Sequence, residues 1–563
     1  MRRIRYAKLT EQQSTEKLAA VTGRASASAR SDALVGKTIR IVTDGGPVLS
    51  YAFSSADRLT LRENDGSAIE SGYGTLTMHR IAFFSHLVPG TQRGYNVILD
   101  QRTGLVTVFE VWFSGYEDNR EVQREIHYGY IEEPGRPAPE ARHSLTNRIE
   151  GRGFYWKQDT GVETLEFYPS VIYSNFVELT RFGGELSFCA PTDYVRITDD
   201  VYVYARVEAE FSGTMTLYVL DVNRVEQIGV RLGFDADDVL EYYVFRGKGE
   251  MVGQLAHFEP FDDVGATIPL GERSIPDRKG GRPVYRPLRT NPIMTKEEVR
   301  AAARNARVFA EGSPMAGNQL PVSDFLVGKA FSLRFDNGRI VHYRCDELHK
   351  LRWRHEGERT WHEERYRAWE SAPGLVMFGH LLTGAPQHDC YKLVVDFDHG
   401  LTTCIHGTMG TPYIANEAAA ETWFGVLEMD GVTPPKYRRH EFTDELVGRA
   451  LTWNYSPGLT SMHLYSTPHS VSWIIFLENG AGGMQWSGPG SYVKIRDGIY
   501  LVYWLEEACN GTLGTILVNL RTMHDCGIGY HCGPNGLSLG AVGAHSRNAG
   551  RFDIAKYFRL TAT

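Results

Sequence analysis

The sequence lacks most features that would mark a membrane, secreted or nucleic-acid-binding protein. It contains no apolar run long enough for a membrane-spanning helix, and its first residues lack the apolar core of a secretory signal. Its seven cysteines include no CxxC pair, which favours free thiols in a reducing compartment. The net charge of −8 gives no reason to expect nucleic acid or an anionic membrane as a partner. We therefore expect a cytoplasmic protein.

Motifs for common cofactors are also missing. We find no P-loop, no GxSxG elbow and no GxGxxG that opens a strand–helix unit. The segment HYRCDELH contains His342, Cys345 and His349, but the alternation of a strand would not gather them on one face. We therefore expect neither a cofactor nor a metal.

What the sequence does contain is an internal repeat. A heptapeptide recurs with the pattern Ser/Thr, Asp/Asn, any residue, Leu/Ile, any residue, Gly, Lys/Arg. Its copies are SDALVGK at Ser31–Lys37, TNRIEGR at Thr146–Arg152, SDFLVGK at Ser323–Lys329 and TDELVGR at Thr443–Arg449. The first two copies and the last two have similar separations, while a longer stretch parts the second copy from the third. This spacing indicates a two-module unit that occurs twice.

The similarity extends well beyond the heptapeptide. FFSHL at Phe83–Leu87 corresponds to MFGHL at Met377–Leu381 in the first and third modules. The second and fourth modules align without gaps over Tyr194–Thr214 and Tyr492–Thr512. The order of modules is therefore A–B–A′–B′.

The modules have the pattern of antiparallel β-structure. Short segments alternate apolar and polar residues, and Gly, Asn or Asp separate them in turns such as DGG and NDG. Each module has room for about eight strands, and closing them into a barrel removes exposed edges. We predict an all-β protein with an N-terminal tail (1–30), barrels at 31–140, 141–260, 321–435 and 436–563, and a linker (261–320). In the linker, Thr295 can cap one short helix over Lys296–Glu311.

One strand in each B module carries the main site candidates. In module B, four polar and aromatic residues share a face, and they are Tyr202, Tyr204, Arg206 and Glu208. This face is either a solvated outer surface or a ligand-facing lumen. In module B′ the equivalent residues are Tyr500, Val502, Trp504 and Glu506, and the Val and Trp favour the interior. A carboxylate among aromatic residues has a raised pKa, which suits a general acid or base.

Histidines form a second group of candidates. His86 and His380 occupy equivalent strand positions, where a satisfied core histidine is the alternative to a functional one. His463 precedes Tyr465 by two residues, as Glu166 precedes Tyr168, and either pair could line a barrel mouth. His545 lies in a strand of small residues, where backbone or ligand can approach closely.

The fourth module resembles the C-terminal domain of the MoaF family (molybdenum cofactor biosynthesis protein F). The resemblance rests on TDELVGRALTWNYSPG, MHLYST, YVKIRDGIYLVYWLEE, TLGTILVNL and GAVGAHS. The LVGK and DNG segments of the A modules resemble the family's N-terminal domain. The resemblance implies calycin-like barrels, similar to lipocalins and phenolic acid decarboxylases. It maps the family's His–Tyr element onto His463 and Tyr465. The Trp-Arg-Glu run of the family becomes Trp504-Leu505-Glu506 here, so its arginine is missing.

Two main hypotheses of function follow, and both place a small molecule in a barrel lumen: a phenolic or aromatic compound for the first, and an aromatic or hydrophobic ligand for the second. The first is a cofactor-independent lyase (a decarboxylase, dehydratase or deformylating C–C lyase). Its catalytic candidates are Glu506, Glu208, His463, Tyr500, Tyr202 and Arg206, and its substrate-binding candidates are Tyr204, Trp504, Tyr465, Tyr168, His86, His380 and His545. The second is a binding protein without chemistry. A third, structural role would need filled barrels. Because a fused pair can replace a homodimer, we expect a monomer or homodimer.

Overall fold

The computed structural model describes residues 7–22, 31–114, 119–146, 148–169, 173–180, 184–208, 213–235, 237–256, 277–279, 282–284, 292–475, 485–506 and 511–558. The chain forms two compact units. Unit one comprises Met1–Gly183, Cys189–Gln254 and Gly265–Pro287, and unit two comprises Gly184–Phe188, Leu255–Val264 and Leu288–Thr563. Unit one holds barrels one and two, and unit two holds barrels three and four.

Barrel one is a closed antiparallel barrel in which each strand pairs with the next and β8 pairs with β1. It follows helix α1 (Glu11–Val21). Its strands are β1 Thr38–Thr43, β2 Val48–Phe53, β3 Arg58–Glu63, β4 Ile69–Met78, β5 Ile81–Leu87, β6 Arg93–Asp100, β7 Leu105–Phe113 and β8 Val122–Ile131. The turns that sequence predicted adopt left-handed backbone, with φ of 70° at Gly45 and 49° at Asn64.

Barrel two repeats this arrangement. Its sheet runs in the order β12-β11-β10-β17-β16-β15-β14-β13-β9, and the additional pairing of β12 with β13 closes it. The strands are β9 Ser144–Leu145, β10 Arg152–Gln158, β11 Glu163–Phe167, β12 Tyr173–Glu178, β13 Ser187–Arg196, β14 Val201–Glu208, β15 Thr214–Asp221, β16 Glu226–Phe234 and β17 Leu240–Gln254. A short hairpin follows in the linker, formed by β18 Asp277–Lys279 and β19 Arg282–Val284.

The two barrels of unit one pack through apolar outer faces. The outward residues Val203 and Val207 of β14 belong to the same buried cluster as Leu76 and Phe109 of barrel one. Leu18 of α1 also joins this cluster. Helix α1 was not predicted: it forms from the N-terminal tail, and its apolar residues complete the core between the barrels.

Unit two contains helix α2 (Lys296–Arg304), which has the predicted N-cap Thr295 and, in addition, a capping box between Thr295 and Glu298. The helix is shorter than predicted. The residues beyond it form strand β20 (Arg307–Val308), which pairs in parallel with a later strand at Ser538 and Leu539. Backbone pairing with the barrel thus ends the helix before Glu311.

Barrel three is a sheet whose two edges are consecutive segments of chain. Its order is β24-β23-β22-β21-β29-β28-β27-β26-β25, and only Tyr366 separates β24 from β25. The strands are β21 Ala330–Phe335, β22 Ile340–Glu347, β23 Lys350–His355, β24 His362–Arg365, β25 Arg367–Ala372, β26 Leu375–Leu381, β27 Cys390–Asp396, β28 Leu401–Met409 and β29 Ala418–Glu428.

Barrel four differs from barrel two in its last strand, which is divided into two. Its strands are β30 Glu441–Phe442, β31 Arg449–Ser456, β32 Leu459–Thr467, β33 Ser470–Ile475, β34 Gln485–Arg496, β35 Ile499–Glu506, β36 Thr512–Asn519, β37 His524–Gly533, β38 Gly536–Val542 and β39 His545–Arg551. Strands β31 to β37 pair in order, β39 pairs with β31, and a bridge from His524 to His545 joins β37 to β39. The single strand β17 of barrel two is here replaced by β38 and β39.

Barrels three and four also pack through their outer faces. Met377 and Val394 of barrel three share a buried cluster with Leu517 and Ile528 of barrel four, and Val299 of α2 joins it. Lys392 lies in this interface, where its Nζ donates to the Leu513 carbonyl at 2.7 Å and to Thr515 Oγ1 at 3.1 Å. Burial lowers the pKa of Lys392 to about 8.

The predicted all-β fold of tandem antiparallel barrels is confirmed. The six cysteines in the described part of the chain are free thiols. Within the same residues, no helix combines the length and the apolar character needed to cross a bilayer.

Candidate functional site

The candidate face of β14 points into barrel two. Tyr202 and Tyr204 belong to a buried aromatic cluster inside the barrel, while Val201 and Val203 pack on the opposite side against barrel one. Of the two alternatives that sequence left open, the structure has the lumen. Glu208 ends the strand, and its side chain lies outside the described part of the molecule.

A buried ion pair fills the middle of barrel two. Arg206 Nη1 donates to both carboxylate oxygens of Glu166, at 2.8 and 2.7 Å, and Nη2 donates to the Tyr218 hydroxyl at 3.0 Å. The guanidinium also lies 3.5 Å from the centre of the Phe176 ring. Glu166 and Arg206 are almost wholly buried, so the charges neutralise each other away from solvent.

Little space is left beside this ion pair. A cavity of about 20 Å³ lies between Arg206, Tyr218 and Arg231, which is room for a single water. Next to the pair, the Tyr168 hydroxyl donates to the Tyr204 hydroxyl at 3.1 Å. The lumen of barrel two is therefore occupied by its own side chains.

Barrel four differs at the same two positions. Glu166 corresponds to His463, and Arg206 corresponds to Trp504. The rings of His463 and Trp504 pack edge to face, with their centres 5.2 Å apart. The partner ring Phe176 corresponds to Trp473, which pairs across the sheet with His463. A charged pair in one copy has thus become an uncharged aromatic pair in the other.

Several polar atoms in the lumen of barrel four lack a protein partner. His463 Nδ1, Asp525 Oδ2 and Trp473 Nε1 are buried and make no hydrogen bond within the described residues. Burial lowers the pKa of His463 to about 3 and raises the pKa of Asp525 to about 8. At neutral pH both groups are therefore mostly uncharged. Buried polar atoms without partners need a water or a ligand to satisfy them.

Of the other candidates of barrel four, Trp504 and Tyr465 lie beside this group and Tyr500 lies away from it. Trp504 Nε1 donates to Glu506 Oε1 at 2.9 Å, and Glu506 is partly exposed. Tyr465 is fully buried, and its pKa is raised by burial first and by Asp525 second. Tyr500 lies at the opposite end of β35, where its hydroxyl donates to Glu445 Oε2 at 2.6 Å. In barrel two, the Tyr202 hydroxyl likewise donates to the nearby Asp199 carbonyl at 2.9 Å.

The candidate histidines of the A modules are buried beside tyrosines. His86 Nε2 lies 3.1 Å from the Tyr51 hydroxyl, and His380 Nε2 lies 3.2 Å from the Tyr343 hydroxyl. Burial lowers the pKa of both histidines to about 4. His545 differs from expectation, because it is exposed at the start of β39 and packs against His524 rather than lining the lumen.

The A barrels differ from each other in the same way as the B barrels: an ion pair in the first copy is replaced by aromatic rings in the second. In barrel one, Arg93 donates to both oxygens of Glu63, at 2.9 and 2.6 Å, and to the Tyr95 hydroxyl. In barrel three, His355 replaces Glu63, while His406 and Trp423 flank the equivalent tyrosine. That tyrosine, Tyr391, has ring contacts to all three.

Elsewhere in the described residues, the evidence for a ligand or metal site is weaker. A groove of about 570 Å³ lies where the β4–β5 turn meets barrel two. Its lysines are already paired, Lys157 with Glu163 at 2.7 Å and Lys248 with Glu226 at 3.4 Å. Among the described side chains, no group of three or more His, Cys, Asp or Glu is placed to hold a metal ion.

Sequence reasoning missed Asp525. A signal for it was present, because Asp525, Gly527 and Gly529 alternate with Cys526, Ile528 and Tyr530 along β37. The second set packs in the interface with barrel three, so the first set must face the lumen. A carboxylate on a face of glycines has no polar side chain beside it on the same face of its own strand to serve as a partner.

Comparison with known families assigns the two barrels of the second half. Residues 305–411 match the family model of the MoaF N-terminal domain, and residues 440–551 match that of the MoaF C-terminal domain. The order agrees with the resemblance of the sequence, and the matches fall on barrels three and four. A search of curated proteins finds no match.

Proposed function

We propose that the second half of this chain, which is a MoaF N-terminal domain followed by a MoaF C-terminal domain, binds a small aromatic compound inside barrel four. The family domains and the barrel fold support a protein that holds a small ligand in a barrel. The observation that carries the choice of barrel is the replacement of the Glu166–Arg206 ion pair by His463 and Trp504.

The chemistry of this lumen favours an aromatic guest. Trp453, Trp473 and Trp504 surround His463 with flat apolar surfaces that suit a ring. The unpartnered atoms of His463 and Asp525 supply a few polar contacts among them. In barrel two the equivalent space is bridged by a salt bridge that a guest would have to break.

Ligand titration tests the proposal. We expect small 4-hydroxyphenyl compounds to change the tryptophan fluorescence of the protein with a saturable dependence on concentration. The double variant His463→Glu/Trp504→Arg, which gives barrel four the ion pair of barrel two, should lose this binding. Tyr204→Phe in barrel two is the matched control and should bind as the wild type does. Equal binding by the double variant would place the ligand elsewhere.

A second candidate function, a cofactor-independent lyase, is favoured by one observation. The lumen of barrel four contains an uncharged acid, Asp525, and an uncharged base, His463. With a 4-hydroxycinnamate, His463 would take the phenolic proton while Asp525 protonates the side-chain carbon that bears the carboxylate, which gives a quinone methide. The bond to the carboxylate then breaks, its electron pair restores the aromatic ring, and carbon dioxide leaves. His463 returns its proton to the phenolate, and water re-protonates Asp525.

Ultraviolet absorbance distinguishes the lyase from a binding protein. A panel of 4-hydroxyphenyl acids and alcohols should show turnover that Asp525→Asn abolishes while ligand binding remains. Binding without any spectral change across the panel would leave a binding protein and exclude the lyase for these substrates.

A further inference from the structure

Asp525 occupies an unusual position in strand β37. It is 1% exposed, and the residues that follow on its face are Gly527 and Gly529. Two tyrosines lie near it, Tyr455 of β31 and Tyr465 of β32, and a charge on Asp525 raises the pKa of both. Arg449, at the start of β31, opposes the rise in the pKa of Tyr465 and forms no ion pair with Asp525 among the described residues. His524 precedes Asp525 and points to the Asn318 carbonyl.

The two carboxyl oxygens of Asp525 have different partners. Oδ1 accepts the backbone N–H of Ala544 at 2.6 Å, at the break between β38 and β39. Oδ2 has no partner among the described residues. Because Oδ1 serves as an acceptor, the proton of the neutral acid belongs on Oδ2, where it is available for donation.

We infer that Asp525 is a hydrogen-bond donor in the lumen of barrel four, and that the site selects aromatic compounds bearing an acceptor oxygen, such as an aryl ketone or aldehyde. This inference rests on the proposed function and adds the chemical class of the ligand. Burial of the carboxyl supports it, since the pKa of about 8 keeps the proton on the acid at neutral pH. An oxygen from the ligand would supply the acceptor that Oδ2 lacks, and the ring would lie against the tryptophans.

Two probes of the same shape distinguish a hydrogen bond from Asp525 to the ligand from apolar burial of the ligand ring. Acetophenone carries a carbonyl oxygen where α-methylstyrene carries a methylene group. Both are titrated against tryptophan fluorescence at pH 6.5 and pH 9.5. At pH 6.5 we expect acetophenone to bind at least about tenfold more tightly, as one good hydrogen bond predicts. At pH 9.5 the preference should disappear, because ionised Asp525 cannot donate.

Two variants assign the preference to Asp525. Asp525→Asn keeps an N–H donor that does not titrate, so it should prefer acetophenone equally at both pH values. Asp525→Ala should show no preference at either. Near-ultraviolet circular dichroism confirms that each variant keeps its packing, which matters because Asp525 also holds the break between β38 and β39.

The possible outcomes separate this inference from the proposed function. If both probes bind the wild type equally, Asp525 serves only the strand break and the inference is wrong, while the ligand site stands. A preference that persists unchanged in Asp525→Ala also overturns it. If neither probe nor any 4-hydroxyphenyl compound binds, the proposed function fails and the inference fails with it.

Discussion

At the scale of single residues, the two B barrels fill one equivalent pair of buried positions differently, with opposite charges in barrel two and with uncharged rings in barrel four. Arg206 and Glu166 neutralise each other and use Tyr218 and Phe176 to complete their surroundings. Their counterparts Trp504 and His463 avoid charge altogether. Either pair is compatible with the barrel, but a mixed pair is not, because a lone buried charge has nothing to compensate its loss of water.

This coupling gives a prediction for barrel two. Arg206→Leu leaves Glu166 buried without its partner and should lower the free energy of unfolding by about 3–5 kcal/mol. The double variant Glu166→His/Arg206→Trp, which copies barrel four, should lose much less. Urea unfolding followed by circular dichroism measures both. A double variant as unstable as the sum of its single changes would show that the two positions are not coupled.

A second prediction concerns Asp525 and pH. Its folded pKa of about 8 lies above the value of about 3.9 in an unfolded chain. The folded state therefore binds the proton more tightly, and this contribution to stability is complete below about pH 4 and is lost as pH rises through 8. Asn cannot ionise, so Asp525→Asn should become more stable than the wild type at pH 9 by at least about 1 kcal/mol. Urea midpoints at pH 5 and pH 9 check the sign, and an unchanged difference would contradict it.

Much of this residue-level picture could be predicted and some could not. Strand alternation correctly grouped Tyr202, Tyr204 and Arg206 on one face. It could not show that Glu166 lies opposite Arg206, because β11 and β14 do not pair and face each other only across the closed barrel. The role of Asp525 depends on the Ala544 amide that the strand break turns towards it.

At the scale of elements, helices α1 and α2 differ in how readily the sequence predicts them. Helix α2 has acidic residues in its first turn and begins at the N-cap threonine that the sequence predicted. Helix α1 has the same capping box, formed by Thr10 and Gln13, but only Leu18 and Val21 are apolar and buried. Its stability comes from packing against the barrels, which a local pattern cannot reveal.

The cap of α2 can be tested. Thr295→Ala removes the side-chain acceptor of the Glu298 amide and should lower the free energy of unfolding of unit two by about 1 kcal/mol. Glu297→Gln, on the exposed face of the same turn, is the control and should change it by only a few tenths of that amount. Thermal melts followed by circular dichroism are the measurement. No difference between the variants would mean that the cap contributes nothing beyond the helix dipole.

The division of one strand into two also lies beyond sequence. Strand β17 runs unbroken over Leu240–Gln254, whereas β38 and β39 separate at Gly543 and Ala544. The glycine-rich sequence permits the break. The break itself is held by the linker, since Gly543 N donates to the Met315 carbonyl at 2.9 Å. The local sequence of the strand contains no information about that distant segment.

At the scale of the whole molecule, the duplication is visible in side-chain contacts as well as in the amino-acid sequence. The pair Thr107 and His143 of the first half, 2.8 Å apart, recurs as Thr403 and His440 at the same distance. The ion pair of Asp44 with Arg142 recurs as Asp336 with Arg439. These contacts join each A barrel to the chain that enters its B barrel. The duplication therefore preserved the two-barrel unit while the lumens diverged.

Buried histidines throughout the molecule predict loss of stability in acid. Burial lowers the pKa of His86, His143, His380 and His440 to about 4 and of His463 to about 3. These values lie below about 6.5, the value in an unfolded chain, so each contribution to stability is present above pH 6.5 and is lost as pH falls towards 4. Each histidine can remove up to about 1.4 kcal/mol per pH unit in that range.

Urea midpoints between pH 7 and pH 4.5 measure this loss. His440→Gln should reduce the dependence on pH, because one titrating group is removed. A dependence on pH that is identical in the wild type and in His440→Gln would show that this histidine is not protonated on unfolding in this range.

The lysine buried between barrels three and four has a consequence for chemical labelling. Lys392 is fully enclosed and donates to Leu513 and Thr515 across the interface, so an acylating reagent cannot reach its amine while the two sheets are in contact. Acetylation of this one side chain, read by mass spectrometry of the peptide that contains it, therefore reports how often the interface opens. Surface lysines such as Lys248 react in every molecule and calibrate the reagent, and the ratio of the two rates gives the fraction of time that the pair of barrels spends apart.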